Sequence, residues 1–202
     1  GDISSAISPD GKRIAFAAAG FDGKERIWVR EFDAAAPRSL TGTEGGAVGC
    51  WSADSASIAF FAAGKLHRID VNGGAPQLLA DAPVPRGCAW NHAGTILFSP
   101  NSAGPLMQIA ASGGETKPAT LLGKATSHRF PYFLPDDRHF LYADWFPGTM
   151  DVAIHIGDLS STAADTKLDV VQSSAVWNSG YLLFQSGDSV RARPFDASGM
   201  KY

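Results

Sequence analysis

Short runs in which apolar side chains alternate with small or polar ones recur along the whole chain. Strict alternation marks a strand with one face inward, whereas a helix repeats its apolar positions every three to four residues. No stretch keeps the helical spacing for more than two turns. The pattern therefore predicts strands throughout, with Ile14 and Phe16, Ile58 and Phe60, Ile96 and Phe98, Phe140 and Tyr142, and Leu182 and Phe184 as the inward positions of five related runs.

Each run belongs to a longer repeat. Ala6-Ile7-Ser8-Pro9-Asp10-Gly11-Lys12-Arg13-Ile14-Ala15-Phe16 aligns without a gap on Cys50-Trp51-Ser52-Ala53-Asp54-Ser55-Ala56-Ser57-Ile58-Ala59-Phe60. The same order returns from Ala89-Trp90, from Tyr132-Phe133 and from Val176-Trp177, and the closing aromatic recurs after 44, 38, 44 and 42 residues. Ser-Pro-Asp-Gly has the chemistry of a turn: Pro presets its backbone, Asp bonds nearby amides, and Gly accepts a positive φ. A third strand follows at Arg26–Arg30, Lys65–Ile69, Leu106–Ile109, Val152–Ile156 and Val190–Arg193. A fourth closes four of the units at Arg38–Thr41, Gln77–Leu79, Ala119–Leu122 and Lys167–Val170. Four antiparallel strands at a period near 40 residues predict an all-β fold, a β-propeller of about five four-stranded blades. The blades are expected at 1-44, 45-81, 82-123, 124-171 and, incomplete, 172-202 of a single domain.

The Ser-Pro-Asp-Gly turn, the Ile-Ala-Phe strand and the Leu40-Thr41 ending resemble the WD40-like repeat of TolB-type propellers. Trp28-Val29-Arg30 through Gly45, Phe60 through Leu66, Ser127 through Asp136 and Gly180 through Phe184 also resemble the C-terminal propeller region of bacterial transmembrane serine/threonine kinases. That resemblance covers essentially the whole chain. It implies a module on the periplasmic, extracytoplasmic side of the membrane. The repeat departs from the pattern at Ser52-Ala53-Asp54-Ser55 and at Asn91-His92-Ala93-Gly94, which places those turn geometries in question. No segment precedes Gly1 to supply an outer strand, so the expectation is a piece of a larger or incompletely closed ring, whose open blade ends would favour self-association.

Composition narrows the function. Seventeen Lys and Arg against twenty Asp and Glu give a net charge of -3, which offers no basic field to nucleic acid. No apolar run approaches the roughly 20 residues of a membrane-spanning helix, so no membrane contact is expected, and any targeting signal is expected outside these residues. The longest strand-like run is Ile58–Ala63. Cys50 and Cys88 read as two small buried thiols on equivalent strands. A bridge is the alternative, but their offsets from Trp51 and Trp90 differ by one residue and so place them on opposite faces. The redox compartment stays open on this reading.

Candidate chemistry is sparse. The glycine-rich loop, strand lysine, catalytic loop and Asp-Phe-Gly of a kinase do not occur, and Gly187-Asp188-Ser189-Val190-Arg191 lacks the last glycine of a hydrolase elbow. His67, His92, His128, His139 and His155 show no paired spacing for a metal, and no cofactor is expected. Asp10, Asp54 and Asp136 read as turn formers, and Trp51, Trp90 and Trp177 as inter-blade packing. Loops entering the inner strands (Glu44, Arg86, His128, Arg129) and loops joining second to third strands (Asp22, Lys24, Asp144, Trp145) project on one face of a propeller. These eight residues form the candidate rim. Packing does not oblige an aromatic at Trp145, and a mixed-charge rim with a ring suits a protein, a peptide or a small polar, envelope-derived ligand. The expected function is a non-catalytic binding or sensory module of a receptor-type kinase. The alternatives are the gating propeller of a prolyl-oligopeptidase-like hydrolase and a free TolB-like periplasmic scaffold.

Overall fold

Alternating runs bounded by tight turns pair with their nearest neighbours, and the ladder pattern follows that rule. The structure is a computed structural model that describes residues 4–149 and 151–202, the side chain of residue 164 excepted. The expectation about Gly1 lies outside the described residues. Nineteen strands and no helix occur among them.

The first sheet is β1 (Ser5–Ile7), β2 (Arg13–Ala19), β3 (Glu25–Glu31) and β4 (Arg38–Ser39), in that order. The second is β5 (Ala47–Trp51), β6 (Ser57–Ala62), β7 (Lys65–Asp70) and β8 (Gln77–Asp81). The third comprises β9 (Cys88–Trp90), β10 (Thr95–Phe98), β11 (Met107–Ala110) and β12 (Lys117–Pro118). The fourth comprises β13 (Ser127–Phe133), β14 (His139–Trp145), β15 (Val152–Asp158) and β16 (Ser161–Val171). The fifth has three strands, β17 (Val176–Asn178), β18 (Tyr181–Ser186) and β19 (Ser189–Pro194). These are five successive antiparallel propeller blades, and their ladders stay within each sheet. The chain divides into two compact units, 1–85 with 90–96 and 109–115, and 86–89 with 97–108 and 116–202.

The turn between first and second strands is one device used repeatedly. Ser8 Oγ donates to Asp10 Oδ1 at 2.5 Å and accepts from Arg13 N, while Asp10 Oδ1 accepts from Lys12 N. Ser52, Asp54, Ala56 and Ser57 repeat those bonds. The fourth turn position is left-handed in all four long turns, at Gly11, Ser55, Gly94 and Asp137, so the two departures of sequence keep the geometry. Each turn also closes by a backbone bond across three residues, from Gly11 to Ser8, Ser55 to Ser52, Gly94 to Asn91 and Asp137 to Leu134. In the fifth blade Ser179 and Gly180, at φ 49° and 87°, make a two-residue hairpin loop instead.

Packing explains why the middle strands are apolar on both faces. β6 is buried along nearly its whole length, and Phe60, Ile58 and Trp51 pack with Ala15, Ile27 and Val29 of the preceding blade. In the second unit Phe140 and Tyr142 pack with Leu97 and Leu106, while Leu141, Ala143 and Ile154 pack with Leu182 and Phe195 on the other side. Burying a ring such as Phe60 or Phe140 contributes about 1.5–3 kcal/mol. The expected packing tryptophans do this work at Trp51 and Trp177, and Trp51 Nε1 also donates to Ala6 O of the neighbouring blade at 2.9 Å.

Three expectations are corrected. The longest strand is β16, eleven residues of mostly polar character, not Ile58–Ala63; as an outer strand it needs no apolar face. The short fourth strand of the third blade lies at Lys117–Pro118, before the expected Ala119–Leu122. Cys50 and Cys88 are both disulfide-bonded, half-buried and not free thiols. β5 carries a register shift between Val48 and Cys50, so the strict alternation assumed in reading them as free thiols does not hold there.

Candidate functional site

The eight rim residues fall into two groups, one in each unit. In the first unit Arg26 gathers the acids. Its Nη1 and Nη2 donate to Asp22 at 3.0 and 2.7 Å, and its Nε donates to Glu44 Oε1 at 2.9 Å. These bonds hold the Asp22 carboxyl down at about 2 and the Glu44 carboxyl below its ordinary value. Lys24 contributes through its backbone, donating to Asp22 Oδ1 at 3.2 Å and accepting from Gly20 N at 2.9 Å. Asp22, Lys24 and Glu44 thus clamp the β2–β3 connection.

In the second unit Arg86, His128, Arg129, Asp144 and Trp145 come together. The sequence reading puts all five in connections, but His128 and Arg129 lie inside β13, and Asp144 and Trp145 inside β14. Pro131 is what conceals the strand: it cannot donate to a ladder, and the pairing shifts register between Arg129 and Tyr132 to pass it. Phe130 takes a φ of 52° in that bulge and donates its N–H to Arg86 O at 2.9 Å. Gly87 approaches so closely that a Cβ there would lie 3.2 Å from Phe130 Cα.

Alternation sorts the cluster onto two faces, because Ser127 pairs with Trp145, His128 with Asp144 and Arg129 with Ala143. One face carries a buried polar chain. Thr120 Oγ1 accepts from Leu106 N at 3.1 Å and shares a 2.7 Å hydrogen bond with Nδ1 of His128, which is 2% exposed. His128 Nε2 lies 3.1 Å from Asp144 Oδ1, off the hydrogen-bond line, and Oδ1 has no hydrogen-bond partner among the described residues. Asp144 Oδ2 faces His155 Nε2 at 3.2 Å, and His155 Nδ1 bonds Asp165 Oδ1, which also accepts from Tyr142 OH at 3.0 Å. The Tyr142 ring lies against both imidazoles, with centroids 4.7 and 5.4 Å away.

The electrostatics follow from that order. Burial alone would discharge His155, but bonds to Asp144 and Asp165 outweigh it and raise its pKa above the ordinary imidazole value. Burial would likewise raise Asp144, yet the two imidazoles hold it well below the usual carboxylate range. Burial and the Asp165 carboxylate push the Tyr142 phenol up. The hydroxyl–imidazole–carboxylate order of Thr120, His128 and Asp144 is that of an activated nucleophile. Thr120 is 3% exposed and its oxygen is engaged by Leu106 N–H, so that hydroxyl is a structural group.

The other face carries Arg129 and Trp145. The guanidinium carbon lies 3.8 Å from the centre of the Trp145 ring system, Nε donates to Ser127 Oγ at 2.6 Å, and Nη2 donates to Ser102 O at 2.9 Å. Trp145 is half-buried against the core shared by the fourth and fifth blades, so packing does use it, contrary to the sequence reading. Sequence reasoning noticed His155 only as a strand residue and passed over Thr120, Tyr142, Asp165, Ser102 and Ser127. Only the cross-strand pairing of His155 with Tyr142 would have pointed to that group.

Comparison with known proteins gives the fold. No family model matches the chain, and no curated protein matches it. A putative TolB from Agrobacterium tumefaciens is similar over 95% of this chain and 74% of that one, at 17% identity and a TM-score of 0.70. TolB from Acinetobacter baumannii is similar over 98% of this chain, at 16% identity and a TM-score of 0.71, and this chain spans 52% of its length. A puromycin hydrolase, solved as an S511A mutant complexed with PGG, is similar over 94% of this chain and 33% of that one, at 18% identity and a TM-score of 0.58. At these identities the likeness is one of fold, and the chain has a TolB-like β-propeller fold.

Proposed function

We propose that the chain is a non-catalytic protein-interaction module whose working surface is the Arg129 and Trp145 face of the β13–β14 cluster, with Arg86 beside it and the buried His128 and Asp144 behind it. The observation that carries this is the Arg129–Trp145 stack. A cationic fork over an aromatic plane is a recurrent element of binding surfaces, where arginine and tryptophan concentrate interaction energy. Asp22, Lys24 and Glu44 serve the same proposal as the rim of the first unit.

The parent protein in this reading is a bacterial receptor-type serine/threonine kinase, with this module on the extracytoplasmic side. The repeat-by-repeat resemblance supports the kinase, and the disulfide-bonded cysteines support the compartment, since such bonds persist where the surroundings are oxidising. The likeness to a hydrolase favours one alternative, a propeller that gates a peptidase-like catalytic domain elsewhere in the parent protein.

Affinity capture from a bacterial envelope fraction tests the proposal. The immobilised chain should retain a defined protein, and the pair Arg129→Gln with Trp145→Ala should lower its retention at least tenfold. Equal retention by the variants would remove the cluster as the working surface. A reading frame with a hydrolase elbow downstream would decide for the gating alternative.

A further inference from the structure

Several arginines of this chain meet a carboxylate, the half-buried Arg26 among them, whereas the half-buried Arg68 donates to a backbone oxygen, Ala111 O. Arg26 meets Asp22 and Glu44, Arg138 meets Asp158, and Arg193 meets Asp169. Arg129, at 8% exposure, is more buried than any of these and bonds only neutral oxygens, Ser127 Oγ and Ser102 O. Its nearest acid in sequence register, Asp144, faces the opposite side of the sheet and is held by His128 and His155. Burying a cation without a counter-charge is costly. The cost is visible here: burial first, then the charge of Arg86, lowers the Arg129 pKa.

The guanidinium is nevertheless set in place. Trp145 covers one of its faces and two fixed oxygens hold Nε and Nη2, while Nη1 makes no hydrogen bond to described residues. The bulge that presents it is held by Phe130 in a left-handed conformation, a strain that ordinary packing does not require of a phenylalanine. A planar donor edge, pre-oriented and lacking a charge partner, matches a carboxylate.

From these observations we infer that Arg129, beside Arg86 and over Trp145, is an anion-recognition site that takes the carboxylate of a bound peptide. The inference rests on the protein-interaction reading for the identity of the ligand, but the anion site stands on the geometry alone. The carboxylate accepts hydrogen bonds from the Nη1 edge and supplies the missing negative charge. Trp145 keeps the fork from turning.

The test is a titration of the folded chain followed by NMR at the Arg129 Nε–Hε signal, at constant ionic strength. Sodium acetate should shift that signal saturably, while sodium chloride should not. Acetyl-Ala-Ala-Ala with a free carboxylate should act as acetate does, and its C-terminal amide should leave the signal unmoved. These arms need no variant. Arg129→Lys, followed at the Trp145 indole N–H signal that also reports on the parent chain, should weaken acetate binding about tenfold, since it keeps the charge and loses the fork. An equal response to carboxylate and amide, a non-saturating shift, or inorganic phosphate acting at tenfold lower concentration than acetate would overturn the inference. Acetate binding by a chain that captures no protein would instead refute the interaction reading alone.

Discussion

Single side chains set the turns and the polar chain, and their effects can be checked one at a time. Ser52 is buried, donates to Asp54 and accepts from Ser57 N, so Ser52→Ala leaves a buried amide without its acceptor. The expected loss is about 1–3 kcal/mol in urea unfolding. His155 yields a pH prediction. Its folded pKa lies above the unfolded value of about 6.5, so its contribution to stability is full below that pH and is lost as pH rises through the folded value. Stability should therefore fall between mildly acid and mildly alkaline pH, and His155→Gln should flatten that slope. The charged groups facing the ring are Asp144 and Asp165, with Tyr142 stacked on it and His128 beyond, and an NMR titration of the imidazole reads its pKa directly. The turns were legible in the sequence because Ser, Pro, Asp and Gly act on their own neighbours. The His155 chain was not, because its members meet across three strands.

Elements obey the same division between local and cross-strand information. The five second strands were plain from alternation, and their partners followed from the turns. β13 was not plain, because Pro131 reads as a strand breaker while the chain passes it with a bulge. The loop reading of His128 and Arg129 took two buried groups for solvent-facing ones, and that of Asp144 and Trp145 ended β14 too early, before the Pro147-Gly148 turn. Packing between β14 and β15 is tight at one glycine: a Cβ on Gly157 would lie 2.4 Å from Phe140 Cζ, with Phe140 fully buried. Gly157→Ala should cost about 1–3 kcal/mol by thermal or urea unfolding, and Phe140→Leu in the same chain should recover part of the loss.

On the scale of the whole molecule, the repeat period gave the blade architecture, since each blade needs the next to hide its apolar face. The cysteines illustrate what a period cannot give, because the register shift between Val48 and Cys50 interrupts the alternation the period implies. Thiol titration of the oxidised, unfolded chain should find no free thiol, and reduction should lower stability by about 2–4 kcal/mol. The central claim is that the β13–β14 cluster is where this propeller meets its partner. Hydrogen–deuterium exchange of the chain, alone and with the captured protein, tests it most directly. The account predicts slowed exchange confined to peptides covering 86–87, 127–130 and 143–146. Slowed exchange at the outer strands 161–171 or 189–194, with those peptides unchanged, would contradict it.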